Sequence, residues 1–392
     1  MRIAIVLNSS WNVYNFRLGL MDAMRSQGHQ VIVIAPEDAY SQKLVASGYE
    51  FRSIAIDGSG VNPVRDALLI WQLYRLYRAT RPDIVLHYTV KPNTYGTLAS
   101  TLLGIPSINN VCGLGTVFLK KGMASEIAKV LYKIAFRFPK KVFFQNKDDY
   151  DLFVAQKLVQ ADIADNVPGS GINLKHFKPQ VWHNAPGRKF TFLLISRLIY
   201  DKGIMEYIDA IKMMRSQGAD ACFQLLGDNA AGHKRGISEK LVELWIGEGL
   251  IEYLGTTDDV QSAIHAADCV VLPSYREGLP RTLLEAASLC KPIVTTDVPG
   301  CRHVVADGVN GLLCEVRNAA DLADKMQQML SLSHDERMNM GLNGRIRVEM
   351  LFDEKLVIDK YIREINSLGR ETGNRKQKTG DRRPGLPISY FK

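Results

Sequence analysis

The sequence predicts an α/β chain with two doubly wound, Rossmann-like domains. Short apolar runs recur along it, amphipathic segments long enough for crossover helices separate them, and the plan starts again after the polar, proline-containing stretch HNAPGRK (183–189). Strands alternating with helices select a parallel sheet covered on both faces. RIAIVL (2–7) reads as the first strand, because polar Asn8, Ser9 and Ser10 interrupt it where the core of a signal peptide would continue. QVIVIA (30–35), FRSIAI (51–56), DIVLHY (83–88), PSINNV (106–111) and KVFFQN (141–146) complete the strands of a first domain, 1–180. FTFLLI (190–195), ACFQLL (221–226), IEYLG (251–255), CVVLP (269–273) and PIVTT (292–296) supply those of a second, 190–350. The periodic segment 352–368 follows as a helix. In the tail 370–392, seven basic residues stand against two acidic ones among scattered Gly, Pro and Asn. That composition predicts disorder.

With 392 residues, 46% of them hydrophobic and 23% charged, the chain has the profile of a globular protein of two domains. No apolar run reaches the roughly eighteen residues of a membrane span. The six cysteines form no CxxC pair and read as reduced thiols of a cytosolic protein. A net charge of +8 favours an anionic partner. The positive charge gathers in the tail and between Lys120 and Lys141. No helix-turn-helix, zinc-finger or RNP-like pattern accompanies it, which counts against a nucleic-acid-binding protein.

The stretch SYREGLPRTLLEAASL (274–289) carries two carboxylates eight positions apart, Glu277 in a loop and Glu285 in an apolar helix opened by Pro280. A carboxylate in such a helix needs a partner. Arg281 or Arg302 could supply it as a core ion pair, and a ligand hydroxyl could supply it instead. The segment SRLIYDKG sets Arg197 and Lys202 at a strand-to-helix junction, suited either to a diphosphate or to ion pairing with Asp201. Amides at Gly278 and Leu279 beside a helix N-terminus make an anion site, Glu285 can accept from a ribose diol, and Glu277 can accept from a sugar hydroxyl. Gly300, in DVPGCRH, offers a turn where backbone can approach a ligand. Diphosphate and two sugars describe a nucleotide sugar. No GxxxxGK[ST] and no GxGxxG after the first strand point to another nucleotide.

These residues resemble the retaining glycosyltransferases of family 4, whose signature is E-x7-E and whose fold is GT-B. SRLIYDKG, LLGDNA, LGTTDDV, AADCVVLPSYREGLPRTLLEAASLCKPIVTTDVPG and DGVNGLL match in family order. The resemblance implies that Arg197 and Lys202 hold the donor diphosphate, Glu285 the ribose and Glu277 the donor sugar. Amides of Gly278 and Leu279 would serve sugar and phosphate. It implies a UDP-linked donor, retention by attack from the leaving-group face, and a 352–368 helix that returns to the first domain. The sequence departs from the pattern in two places. The loop after PSINNV reads NNVCGLGTVF where relatives carry a histidine, and His303 stands where PG-x-x-E has its glutamate. The GLG and EGLPRTLLEA forms look most like members that extend polyprenyl-diphosphate-linked oligosaccharides for bacterial surface glycans.

On this reading the first domain faces a lipid-linked acceptor, with Asn15, Arg17, His87 and Lys91 as contact candidates. No DxD triplet or His/Asp cluster calls for a metal, and no cofactor is expected. ASEIAKVLYKIAFRFPKK (124–141) sets Lys129, Lys133 and Arg137 at four-residue spacing, with Leu131, Ile134 and Phe138 on another part of the helix. Such a helix is drawn to an anionic bilayer. The expected place is cytoplasmic, peripheral on the inner face of the membrane. The alternative is a nucleotide-sugar epimerase of similar shape.

Overall fold

The computed structural model describes residues 1–56, 62–114, 123–180, 187–229 and 235–379. It divides into two compact units, Met1–Ser170 with the stretch that begins at Lys355, and Gly171–Glu354. The change of unit at Ser170 comes earlier than the linker expected near 180–190.

The first unit contains β1 (Arg2–Val6), β2 (Gln30–Ala35), β3 (Glu50–Ser53), β4 (Ile84–Tyr88), β5 (Ser107–Val111), β6 (Lys141–Phe144) and β7 (Ala164–Asn166). They form one seven-stranded sheet in the order β3-β2-β1-β4-β5-β6-β7. Every pairing is parallel. Ile5 lies opposite Val33 on one side and Leu86 on the other. Strands buried on both faces need apolar residues at every position, which is why Ile3, Ala4, Ile5 and Val6 are all fully buried.

The second unit repeats the plan with β8 (Phe190–Ile195), β9 (Ala221–Leu226), β10 (Glu252–Tyr253), β11 (Cys269–Leu272), β12 (Ile293–Thr296) and β13 (Gly311–Cys314). Its order is β10-β9-β8-β11-β12-β13, again wholly parallel. The strand order reverses between β1 and β4 in one sheet and between β8 and β11 in the other. Ligands of such sheets bind outside the strands' carboxyl ends at this switch point.

A helix, Glu354–Thr379, brings the chain back to the first unit. Val357, Tyr361, Ile365 and Leu368 enter that unit's core. The Tyr361 hydroxyl accepts a 2.9 Å bond from Asn110, and Lys360 pairs with Asp165 at 3.0 Å. The helix extends past residue 370, where disorder is expected from composition, as far as Thr379. Once a helix is nucleated by packing, each added residue costs little, and Arg, Glu, Lys and Gln are good helix formers. The rest of that tail, 380–392, lies outside the described residues.

Candidate active site

Lys202 and Glu277 stand on the loops that follow β8 and β11, the two strands at the second unit's switch point. Lys202 ends a short turn, Tyr200–Lys202, and Gly203 follows with φ of +71°. A Cβ at Gly203 would lie 2.0 Å from the Pro273 carbonyl oxygen, so only glycine lets the two loops meet. The Tyr275 N–H then donates to the Asp201 carbonyl at 2.9 Å, and the Ser274 hydroxyl donates to the same oxygen at 3.2 Å. This seam brings Lys202 Nζ into a hydrogen-bonded ion pair with Glu277 Oε1. Both side chains are largely buried, 21% and 13% exposed, so the attraction is less screened than at a surface.

The other side of the Glu277 loop rests on the turn after β12. Glu277 N–H donates to the Pro299 carbonyl at 3.2 Å. Gly300 has φ of +87°, and a Cβ there would lie 2.7 Å from the Glu277 carbonyl oxygen. The close approach expected at Gly300 is therefore made to Glu277's own backbone. Gly300 N–H donates to His303 Nδ1 at 3.2 Å, so the histidine that replaces the pattern's glutamate caps this turn.

Gly278 and Leu279 lead into the helix Arg281–Ser288, which starts one residue later than Pro280 suggested. Pro280 keeps an extended ψ of 114° and acts as the cap, its carbonyl accepting from Leu283 at 3.1 Å. Gly278 is buried, and Leu279 packs on the apolar cluster beneath the helix. Glu285 is 8% exposed. Burial raises its carboxyl pKa, and Arg281 opposes that rise. Arg281 Nε donates to Glu285 Oε1 at 3.2 Å, while its Nη1 donates to the Gly171 carbonyl at 2.8 Å. Of the partners weighed from sequence, Arg281 engages one of the two carboxylate oxygens, and Arg302 pairs with Asp297.

Arg197 is exposed at the carboxyl end of β8 and makes no ion pair among the described residues. Asp201, weighed as its partner, is buried and pairs with Arg235 instead. Arg235 and the Pro299–Gly300 latch were not foreseen. Both come from loops far along the chain, and only the PG dipeptide signalled anything.

The first unit's candidates fare differently. Asn15 is exposed, with its amide donating to the Trp11 carbonyl one turn back at 2.9 Å. Arg17 is 5% exposed, stacked over the Tyr88 ring at 4.4 Å and 3.8 Å from Cys112 Sγ. His87 is fully buried on β4. Its Nε2 meets the Tyr77 hydroxyl at 2.9 Å and its Nδ1 meets Asn109 Oδ1 at 3.2 Å. Desolvation lowers its pKa to about 3, so it is a neutral core residue out of reach of an acceptor. Lys91 pairs with buried Asp66 at 3.0 Å, which also accepts from the Tyr95 hydroxyl. Its charge is engaged inside the fold.

The helix Met123–Ala135 buries Ala128, Tyr132 and Ala135. Leu131, expected outward, packs half-buried against the core. The outward apolar stripe is instead Ile127, Val130, Ile134 and, just past the helix, Phe138, each 38 to 55% exposed. Lys133, Arg137 and Lys140 are exposed nearby. Among the described residues no helix is long and apolar enough to cross a membrane, and no group of three His, Cys, Asp or Glu is placed to hold a metal.

Two wholly parallel α/β units, each with a switch point in its strand order, are the plan of a GT-B chain. The glycosyl transferases group 1 family matches residues 179–347, and the glycosyl transferase 4-like family matches 2–146. Together they take up most of the chain, and the protein is a glycosyltransferase carrying both domains. It is 28% identical over 379 residues to the N,N'-diacetylbacillosaminyl-diphospho-undecaprenol alpha-1,3-N-acetylgalactosaminyltransferase of Campylobacter jejuni, covering 93% of this chain and 98% of that one. It is 22% identical to the UDP-Gal:alpha-D-GlcNAc-diphosphoundecaprenol alpha-1,3-galactosyltransferase of Escherichia coli, covering 76% and 79%. Among solved structures, HepE of Anabaena in complex with UDP superposes with a TM-score of 0.73 at 20% identity, covering 94% of this chain and all of that one. Sucrose-phosphate synthase of Thermosynechococcus elongatus gives 0.77 at 18% identity, covering 95% and 100%. These two likenesses concern the fold.

Proposed function

We propose that this glycosyltransferase moves a sugar from a UDP-linked donor to a polyprenyl-diphosphate-linked sugar with retention of configuration, as a step in surface-glycan synthesis. The observation that carries the reading is the Lys202–Glu277 pair, held at the carboxyl ends of β8 and β11 beside the helix that bears Glu285. The two undecaprenol-linked relatives support the acceptor class.

In this reading Arg197 and Lys202 meet the donor diphosphate, Arg bidentately and Lys as a point charge. Glu285 accepts from the ribose, its position kept by Arg281. Glu277 accepts from a hydroxyl of the donor sugar once Lys202 turns to phosphate. Gly278 and Leu279 lend backbone amides. As the glycosidic bond breaks, negative charge grows on the diphosphate, and cations brought onto it when the donor binds stabilise that charge. Resemblance to the family supports attack from the leaving-group face, the acceptor oxygen bonding the anomeric carbon as the diphosphate leaves and a diphosphate oxygen taking the acceptor proton. The reaction then needs no added metal. The apolar stripe Ile127–Val130–Ile134–Phe138 with its exposed cations supports a peripheral seat on an anionic bilayer.

A thermal-shift panel of nucleoside diphosphates, followed by turnover of UDP-sugars with and without a polyprenyl-diphosphate-linked sugar, tests the reading. UDP should raise the melting temperature, since a ligand at 100 times its dissociation constant adds about 2.7 kcal/mol. Turnover should require the lipid-linked sugar. Full turnover with a free sugar, or no response to UDP, would contradict it.

A further inference from the structure

Tyr275 lies two residues before Glu277 and ties that loop to its surroundings from three directions. Its hydroxyl donates to Glu206 Oε1 at 2.7 Å, in the first turn of the helix Ile204–Ser216. Its N–H donates to the carbonyl of Asp201, the residue before Lys202, at 2.9 Å. Over its ring sits the Arg317 guanidinium, 4.5 Å from the centroid. Arg317 comes from the turn after β13 and holds φ of +60°, a conformation uncommon for a residue with a side chain. Such strain persists where the surrounding structure over-determines it. Among the described residues Glu206 Oε2 is buried without a hydrogen-bond partner, and the Tyr275 hydroxyl serves the other oxygen, Oε1. Burial, with the Glu206 carboxylate beside it, pushes the phenol up, so it remains a neutral donor.

We propose that Tyr275 is a positioning residue: through Glu206 and Arg317 it sets where Glu277 stands relative to Lys202, and so the geometry in which the donor sugar meets both. This rests on the donor site proposed above. The seam beneath, from Gly203 to Pro273, fixes where the loop begins, and the Gly300 latch fixes its backbone at Glu277. Tyr275 lies between these two anchors. Its hydrogen bond to a carboxylate is charge-assisted and directional, so it resists rotation of the loop about them.

Tyr275→Phe keeps the ring and the Arg317 contact and removes only the hydroxyl. It should lower kcat by about tenfold to a hundredfold, the scale of a misplacement of up to about 1 Å, while UDP affinity stays within about twofold because Glu285 and the helix are untouched. Glu206→Leu should reproduce that split, and Glu206→Gln, which keeps an acceptor oxygen, should restore most of kcat. An unchanged kcat in Tyr275→Phe overturns the proposal, as does a loss of UDP affinity in step with kcat, the mark of a general collapse of the site. A wild-type chain that binds no UDP contradicts the donor site itself, and the proposal with it.

Discussion

Arg281 donates to Glu285 across one helical turn at 3.2 Å, and the same guanidinium reaches the Gly171 carbonyl at 2.8 Å. A buried carboxylate is thus kept in place by a partner that occupies one of its oxygens. Burial holds the Glu285 pKa above its ordinary 4.5, against the pull of Arg281. A raised folded value means that the native state binds the proton more tightly than the unfolded chain. Stability therefore falls as pH rises from about 4.5 through that folded value. The wild-type carboxylate is costly to the fold at neutral pH, the kind of cost a binding group carries.

Glu285→Gln should remove this pH-dependent cost and weaken binding of UDP by about 1–3 kcal/mol, the range for hydrogen bonds to charged groups. Melting temperatures from pH 4 to 8, paired with UDP calorimetry, read both effects. Unchanged affinity in a folded variant would leave Glu285 as a core ion pair only.

Arg197 gives a cleaner probe of the diphosphate. It is exposed and without an ion pair among the described residues, so Arg197→Ala should change stability by no more than about 0.5 kcal/mol. Turnover should nonetheless fall by about a hundredfold or more, the scale for losing one group that meets developing charge. Lys202→Ala should also lose turnover, with an added stability cost from leaving Glu277 unpaired. Near-normal rates in both variants would remove the two cations from the site.

His87 should show itself through acid stability. Its folded pKa of about 3 lies below the ordinary 6.5, so between those values the unfolded chain holds the extra proton and stability drops as pH falls. His87→Gln should flatten that part of a urea-midpoint profile. An acid limb as steep as the wild type's would mean that His87 is not a buried neutral group.

The outward stripe on the helix Met123–Ala135 predicts lipid binding. Wild-type protein should sediment with anionic vesicles and be released by salt, because screening shortens the reach of Lys133, Arg137 and Lys140. Val130→Asp and Phe138→Asp should each reduce recovery. Equal recovery from neutral and anionic vesicles would count against the bilayer seat.

Much of the fold is legible because its strands are buried on both faces, and a run such as Ile3–Val6 can then be nothing but apolar. β7, three residues that include Asp165 and Asn166 at a sheet edge, carries no such signal. The positions of Lys202 and Glu277 are legible because strand ends precede them. Their pairing is not, since it depends on Gly203 meeting Pro273 some seventy residues later. His87, a lone strand-end histidine of the kind more often structural, shows the same limit: Tyr77, on the helix Pro63–Thr80, and Asn109, on β5, reach it only through tertiary packing. Composition likewise carries no sign that the helix packed through Leu368 extends to Thr379.

The anomeric configuration of the product tests the central claim most directly. A UDP-sugar with an alpha linkage, given to the enzyme with a polyprenyl-diphosphate-linked sugar and no added metal, should yield an alpha-linked product, seen in the small anomeric proton coupling of a gluco- or galacto-configured sugar. A beta-linked product, with its large coupling, would contradict both the retaining route and the roles given to Lys202, Glu277 and Glu285.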